Sequence, residues 1–167
     1  MNTGQSLLTI GALMLLSVIV LGINNKFLST NSTLYDTKFG VLAVALGTSV
    51  IEEASGKPFD LASVDSAITN INLLTAPSGL GAASGEYYPD YNDFDDYNDY
   101  NQTITKLPSA VFKVWCDVHY VNPSNPNVNV STRTWHKKID VFVTSQSMNN
   151  EKDTVKLSSI YSYWYFR

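Results

Sequence analysis

The residues with the clearest chemical potential lie between Tyr87 and Asp99, in the stretch YYPDYNDFDDYND. Carboxylate oxygens at alternating positions are ligands that Ca²⁺ accepts, and this spacing makes Asp93, Asp95 and Asp99 the candidate ligands of a calcium site. A calcium loop also needs a glycine at its tight turn and a closing glutamate. Neither residue type occurs between Asp90 and Asn101, so calcium is retained only as an alternative and no other cofactor is indicated.

The aromatic rings of the same segment favour an ordered surface loop. Disordered acidic segments usually lack Tyr and Phe, which are frequent here. We expect the rings to pack on the sheet or on a neighbouring molecule. We expect the carboxylates to face water or to pair with Lys137 and Lys138.

Cys116, His119 and His136 are the other residues that could bind a metal, in this case zinc. Side chains three positions apart on a strand point to opposite faces, so Cys116 and His119 cannot share an ion without a bulge. We expect a buried cysteine and an exposed histidine. The sequence contains no recognisable nucleophile motif and no phosphate-binding loop, so no enzyme is predicted.

Composition and charge bound the class of protein. A chain of 167 residues is one domain with room for a modest core and an appendage. Its net charge of −4 disfavours nucleic acid as a partner, because such proteins usually carry a basic face. No charged residue precedes Lys26 and no acidic residue precedes Asp36. The pattern indicates a membrane-associated N-terminus on a soluble domain.

The uncharged N-terminus contains the apolar run LLTIGALMLLSVIVLGI, from Leu7 to Ile23. As a helix it would be about 25 Å long, at the short end for a membrane span. A signal peptide would need a basic start and a cleavage site after the run, and the start is MNTG. A single-pass anchor gains little from the positive-inside rule, because the nearest charge is Lys26 on the C-terminal side. A longer helix is the third interpretation.

A helical pattern resumes after the apolar run. It is an amphipathic stripe that would pack on a sheet, made of Phe39, Leu42, Ala43, Leu46 and Val50. The stop signal SGKP follows at Ser55–Pro58, so we predict one helix from about Ser6 to Ser55. Its apolar half must be covered by lipid or by copies of itself. The polar stretch Asn24–Thr33 predicts a kink, a local melt or a 3₁₀ segment, and two helices joined by a loop are the alternative.

Alternating apolar residues after the acidic segment predict strands. The stretch AVFKVWCDVHYV alternates at Phe112, Val114, Cys116, Val118 and Tyr120, and RTWHKKIDVFV alternates at Trp135, Ile139, Val141 and Val143. The C-terminal TVKLSSIYSYWYFR forms a third strand with aromatic residues on both faces, both of which we expect to be covered. The fold class predicted is α+β, with the long helix packed on an antiparallel meander of three or four strands. Residues Asn122–Asn129 and Ser145–Asp153 are assigned to turns.

This layout resembles the type IV pilin and pseudopilin superfamily. The resemblance rests on the short leader MNTG, the apolar start QSLLTIGALMLLSVIVL, and the long amphipathic extension into a small β domain. The short stretch FDDYNDY, from Phe94 to Tyr100, is similar to a stretch found in some pilin-like proteins. The leader lacks the usual basic residues, and Thr9 stands where the family has a glutamate.

The resemblance implies a site for a prepilin peptidase between Gly4 and Gln5. It also implies a filament core of bundled helices with β domains outside, in which small residues permit close packing. The implied core residues are Leu7, Leu8, Ile10, Gly11, Ala12, Leu13, Leu15, Leu16, Val18, Ile19, Val20, Leu21 and Gly22. Residues 1–4 would be the leader, 5–33 the protruding apolar helix and 34–167 the globular head.

The function implied is that of a structural subunit of a bacterial surface filament. Its partners would be copies of itself, the cytoplasmic membrane before assembly, the assembly machinery and the prepilin peptidase. Thr9 also suits a low-copy minor pilin or a secretion pseudopilin. A single-pass anchored extracytoplasmic binding domain, with residues Gly79–Asn101 as its ligand loop, is an alternative of a different class.

Overall fold

One long helix and one antiparallel sheet form the framework in the computed structural model, which describes residues 2–148 and 151–164. The predicted α+β class is therefore confirmed. Short 3₁₀ turns occupy parts of the connection between the helix and the sheet. The helix and strands are α1 (Thr3–Ser55), β1 (Asn101–Ile104), β2 (Phe112–Asn122), β3 (Asn125–Asn129), β4 (His136–Ser145) and β5 (Thr154–Ser162).

The chain divides into two units, one that ends at Lys38 and one that begins at Phe39. Helix α1 contributes to both, and it is α-helical through the polar stretch Asn24–Thr33. The predicted local melt or 3₁₀ segment is therefore wrong, and so is the alternative of two helices joined by a loop. Hydroxyl groups in and after this stretch donate to carbonyl oxygens four residues earlier, as from Thr30 to Lys26 at 2.9 Å and from Thr33 to Ser29 at 3.1 Å. The hydroxyl groups are thus hydrogen-bonded within the helix and do not compete with its backbone hydrogen bonds.

The sheet has five strands, in the order β1-β2-β4-β5, with β3 paired to the end of β2. The predicted meander is β2-β4-β5, and its register aligns Val114 with Val143 and Val118 with Ile139. The prediction of three or four strands is wrong because it missed β1 and β3. Strand β1 has only four residues and no apolar alternation, and β3 lies in the Asn-rich segment whose composition predicts a turn.

The hydrophobic core of the second unit lies between the last part of α1 and one face of the sheet. Phe39, Ala43 and Val50 are buried, and Leu42 and Leu46 pack against them partly exposed, which confirms the predicted stripe. The facing strand residues are those predicted by alternation, Phe112, Val114, Cys116 and Val118 of β2 and Ile139, Val141 and Val143 of β4.

Gly47 brings the helix close to the sheet, which the stripe did not predict. A Cβ atom at this position would lie 2.6 Å from Leu157 Cδ1 and 3.4 Å from Val143 Cγ2. A side chain here would require Leu157 to move, so glycine permits the observed spacing between α1 and strands β4 and β5. Ala54 is also buried on the same side of the helix.

A second cluster closes the other end of the sheet. Phe59, Ile68 and Leu74 from the connection after α1 are buried with Tyr120 of β2. The connection is thus anchored along its length by apolar side chains. The outer face of β5 is less covered than expected, since Ile160 is 45% exposed. Residues 165–167 of the predicted last strand lie outside the described residues.

Candidate functional site

The first candidate site is the apolar surface of α1 between Leu7 and Ile23. Its large apolar side chains are between 50% and 77% exposed. The helix is long and apolar enough to cross a membrane, judged by length and composition. All of the proposed filament-core residues, from Leu7 to Gly22, lie on this exposed surface.

The two polar side chains of this surface are already satisfied by the helix itself. Thr9 Oγ1 donates to the carbonyl oxygen of Ser6 at 2.8 Å, and Ser17 Oγ donates to that of Leu13 at 2.8 Å. Such a surface can enter lipid or contact another helix without leaving these hydroxyl donors unpaired, which would be costly in an apolar medium. Thr9 therefore brings no charge and no free donor to this surface.

Glycines open shallow depressions on the same surface. An added Cβ at Gly4, Gly11 or Gly22 would meet nothing within 4 Å. Around the first two lies an open groove of about 440 Å³, whose lining also includes Leu7, Leu8, Ala12 and Leu15. The groove includes Gly4 of the proposed cleavage site, which lies inside the helix because α1 already begins at Thr3.

The second candidate site is the acidic aromatic segment, which is an ordered loop as predicted. Phe94 and Tyr97 are fully buried and Tyr100 is 4% exposed. Tyr97 Oη donates to Glu53 Oε1 at 2.8 Å and so ties the loop to the last turn of α1. The ring of Tyr91 contacts that of Tyr97 edge-on at 5.1 Å. The rings pack inward on the helix and the sheet.

A buried lysine is the electrostatic centre beneath this loop. Lys137 has no exposed surface, and its Nζ donates to the carbonyl oxygen of Phe59 at 2.8 Å, to Asp60 Oδ2 at 2.7 Å and to Asp95 Oδ1. The predicted pairing of the loop with Lys137 is confirmed. Lys138 instead pairs with Asp140 of its own strand, at 3.2 Å.

The loop carboxylates also hold the backbone of the loop. Asp93 Oδ1 accepts from the amide nitrogens of Asp95 at 2.8 Å and Asp96 at 3.3 Å, and Asp96 Oδ2 accepts from those of Asn92 and Asp93. These two carboxylates are at most 4% exposed, so the expectation that carboxylates without a lysine partner face water is wrong for them. Their burial follows from the bonds to the backbone, which replace water as the partner.

The carboxyl groups of Asp93 and Asp95 are close enough to perturb each other. Burial, followed by the negative charge of Asp95, raises the pKa of Asp93 to about 8. Burial also raises the pKa of Asp95 in spite of its contact with Lys137. With one ammonium group among several buried carboxyls, a proton on Asp93 at neutral pH reduces the excess negative charge.

The structure does not assemble the calcium site considered from the sequence. Asp99 is exposed, with a backbone φ of 63°, and its amide donates to the carbonyl oxygen of Cys116. Asp95 is engaged by Lys137, so an ammonium group takes the place that a cation would need. Within residues 2–148 and 151–164, no three acidic, cysteine or histidine side chains are arranged to hold a metal ion.

The cysteine and histidines do not form a catalytic group either. Burial raises the pKa of Cys116 to about 12, followed in effect by the charge of Asp117, so the thiol stays protonated and a poor nucleophile. His119, expected to be exposed, is half-buried, and burial lowers its pKa. In the described part of the chain its Nε2 has no hydrogen-bond partner. His136 Nδ1 contacts Ser162 Oγ at 2.7 Å.

Lys137 is the residue whose position sequence reasoning only half recognised. It was proposed as a partner for the loop, but its burial was not expected. A signal was present, because Lys137 lies two residues before Ile139 in the alternation that points Ile139, Val141 and Val143 inward. Asp60, its second partner, carried no comparable signal.

Comparisons of the chain with protein-family models, with curated proteins and with solved structures found no match.

Proposed function

We propose that the protein is the structural subunit of an extracellular helical filament of the type IV pilin-like kind, assembled through its apolar N-terminal helix. The observation that carries the proposal is the exposure of every large apolar side chain between Leu7 and Ile23. Removing one such side chain from water contributes roughly 1.5–3 kcal/mol. A run of them needs a cover, and the described buried residues all lie at or after Phe39.

The chemistry of this helix suits copies of itself as the cover. No charged residue precedes Lys26, so this part of identical helices can lie side by side without repulsion between charged side chains. Gly11, Ala12, Ser17 and Gly22 allow backbones to approach closely, as small residues do between helices in membranes. In a membrane the same surface would be covered by lipid, and this would hold the subunit before assembly.

The head is suited to the outer wall of such a filament. Its core is complete between the last part of α1 and the sheet, and uses none of the described residues before Phe39. The resemblance in layout, from the leader MNTG to the β domain, supports the same proposal. In a peptidase-processed filament, cleavage between Gly4 and Gln5 would release the leader.

The first test is the intact mass of the protein in sheared, pelletable material from the surface of expressing cells. We expect it there as a major species. A mass that lacks MNTG would indicate a peptidase-processed pilin, and a full-length mass would indicate a filament assembled without cleavage. Confinement to the membrane fraction would contradict the proposal and favour the anchored domain or a low-copy pseudopilin.

The second test separates a packed helical core from a simple anchor. The double variant Gly11→Leu, Gly22→Leu adds bulk where the chain itself leaves open space. A lipid-embedded anchor should tolerate it, whereas a close-packed core should lose filaments. The matched control Val18→Leu, Val20→Leu changes apolar residues that are already large, and should still assemble. Normal filaments from the glycine double variant would refute the tight-core assembly.

A further inference from the structure

An aromatic groove lies in the head, and none of its described lining residues belongs to the ion cluster of Lys137, Asp60 and Asp95. It has a volume of about 530 Å³, within the range of roughly 300–1,000 Å³ typical of small-molecule sites. Its walls come from the start of β4, the end of β5 with the residues that follow it, and the connection at Ile68 and Thr69. The aromatic members are Trp135, Tyr163 and Trp164.

One wall of the groove is a rigid pair of rings. Trp135 and Tyr163 are stacked, with ring centroids 5.4 Å apart and an interplanar angle of 23°. The amide of Tyr163 donates to the carbonyl oxygen of Trp135 at 2.9 Å, and the amide of Ile68 donates to Tyr163 Oη at 2.7 Å. The Tyr163 ring also contacts that of Phe59, which is buried. These bonds hold the pair in place before any ligand arrives.

Trp164 provides a second ring that is almost fully in water. Its side chain is 78% exposed, although it lines the groove beside the stacked pair. A tryptophan carries a large apolar surface and one N–H donor. Left exposed beside a concave aromatic wall, it offers contact area that a ligand can bury.

The polar groups of the groove are hydroxyl and imidazole groups. His136 and Ser162 are joined through Nδ1 and Oγ at 2.7 Å, and Thr69 is exposed at the rim. No Asp, Glu, Lys or Arg side chain is among the described residues that line it. A ligand matched to this lining is therefore uncharged, with an apolar face for the rings and hydroxyl groups for the rim.

We propose that this groove binds a neutral carbohydrate. A pyranose ring has a face of C–H groups with partial positive charge, which stacks on the negative face of an indole or phenol ring. Its hydroxyl groups lie at the edge, where His136, Ser162 and Thr69 can donate and accept hydrogen bonds. The size of the groove suits a short segment of a saccharide chain. The proposal concerns the head alone and does not depend on filament assembly.

The test uses the full-length protein in a detergent without sugar head groups. Neutral hexasaccharides of the α-glucan, β-glucan and chitin types are titrated to about 10 mM, which detects dissociation constants of about 1 mM, and tryptophan fluorescence is recorded. Trp115, stacked on Phe142 elsewhere in the sheet, is the third tryptophan and supplies a constant background. We expect at least one saccharide to change the emission saturably, and a charged hexauronate of matched length not to do so.

Variants locate the binding site. Trp164→Ala should weaken binding at least tenfold, and because this side chain is so exposed the head should remain folded. Tyr87→Ala is the matched control, an aromatic that is 76% exposed in another loop, and should bind as the parent does. Absence of binding by every neutral saccharide, or binding that Trp164→Ala leaves unchanged, would overturn the proposal. Saturable binding of a Trp-containing neutral peptide in place of all saccharides would overturn it too, and would assign the groove to protein partners.

Discussion

The proton on Asp93 makes a prediction about how stability depends on pH. In the folded chain this carboxyl has a pKa of about 8, against an ordinary value of 3.8. Between these values the folded state holds a proton that the unfolded state has released. Stability from this group is therefore fully present below about pH 3.8, and it is lost as the pH rises towards 8.

The variant Asp93→Asn removes this titration while keeping the shape of the side chain. The amide oxygen can accept from the backbone nitrogens of Asp95 and Asp96 as the carboxyl does, and the amide group stays neutral at every pH. The free energy of unfolding of the parent should fall by up to about 1.4 kcal/mol per pH unit because of Asp93. The variant should thus gain about 3 kcal/mol relative to the parent between pH 5 and pH 7.

Urea unfolding of the full-length chain in detergent, followed by tryptophan fluorescence at pH 5, 6 and 7, measures this difference. The difference between variant and parent cancels contributions from groups that do not interact with Asp93, such as His119, whose lowered pKa acts with the opposite sign. The control Asp90→Asn neutralises an exposed carboxylate of the same loop and should leave the slope of the parent unchanged. If the free energies of unfolding of the parent and of Asp93→Asn change equally with pH across the three values, Asp93 is already ionised in the folded chain and the reasoning fails.

Three further predictions concern stability and reactivity. Lys137→Met should lower the free energy of unfolding by about 3–5 kcal/mol, because it leaves buried carboxylates without their cation. Urea unfolding measures this change, and a variant as stable as the parent would contradict the role of the lysine. Gly47→Leu should cost about 1–3 kcal/mol through overpacking against Leu157, whereas the exposed control Thr48→Leu should change thermal unfolding little. Cys116, the single cysteine, should resist a thiol reagent at pH 8 until urea unfolds the head; rapid labelling of the folded chain would show that the thiol is not buried.

The elements of the fold were largely predictable because their signals are local. The stripe from Phe39 to Val50 repeats with the period of a helix, and alternation in β2 and β4 repeats with the period of a strand. These periods can be recognised in the sequence without knowing which element packs against the helix or strand. The missed strands β1 and β3 are short and polar, so their pairing with β2 depends on where the chain returns and not on their own residues. Helix α1 continues through Asn24–Thr33 against weak propensity, because the hydroxyls bond within the helix.

The sequence by itself determined that an uncharged apolar helix precedes an α+β head, since hydrophobicity and its period are properties of neighbouring residues. Tertiary structure decided what the charged residues do. Asp60, Asp95 and Lys137 are far apart along the chain, and only the packing of loop on sheet brings them into one buried cluster. In the folded chain, carboxylates of the candidate calcium loop instead accept hydrogen bonds from backbone amides, and the cation among them is the ammonium group of Lys137. Electrostatic roles depend on the distances between charged groups and on their burial, and the order of residues along the chain specifies neither.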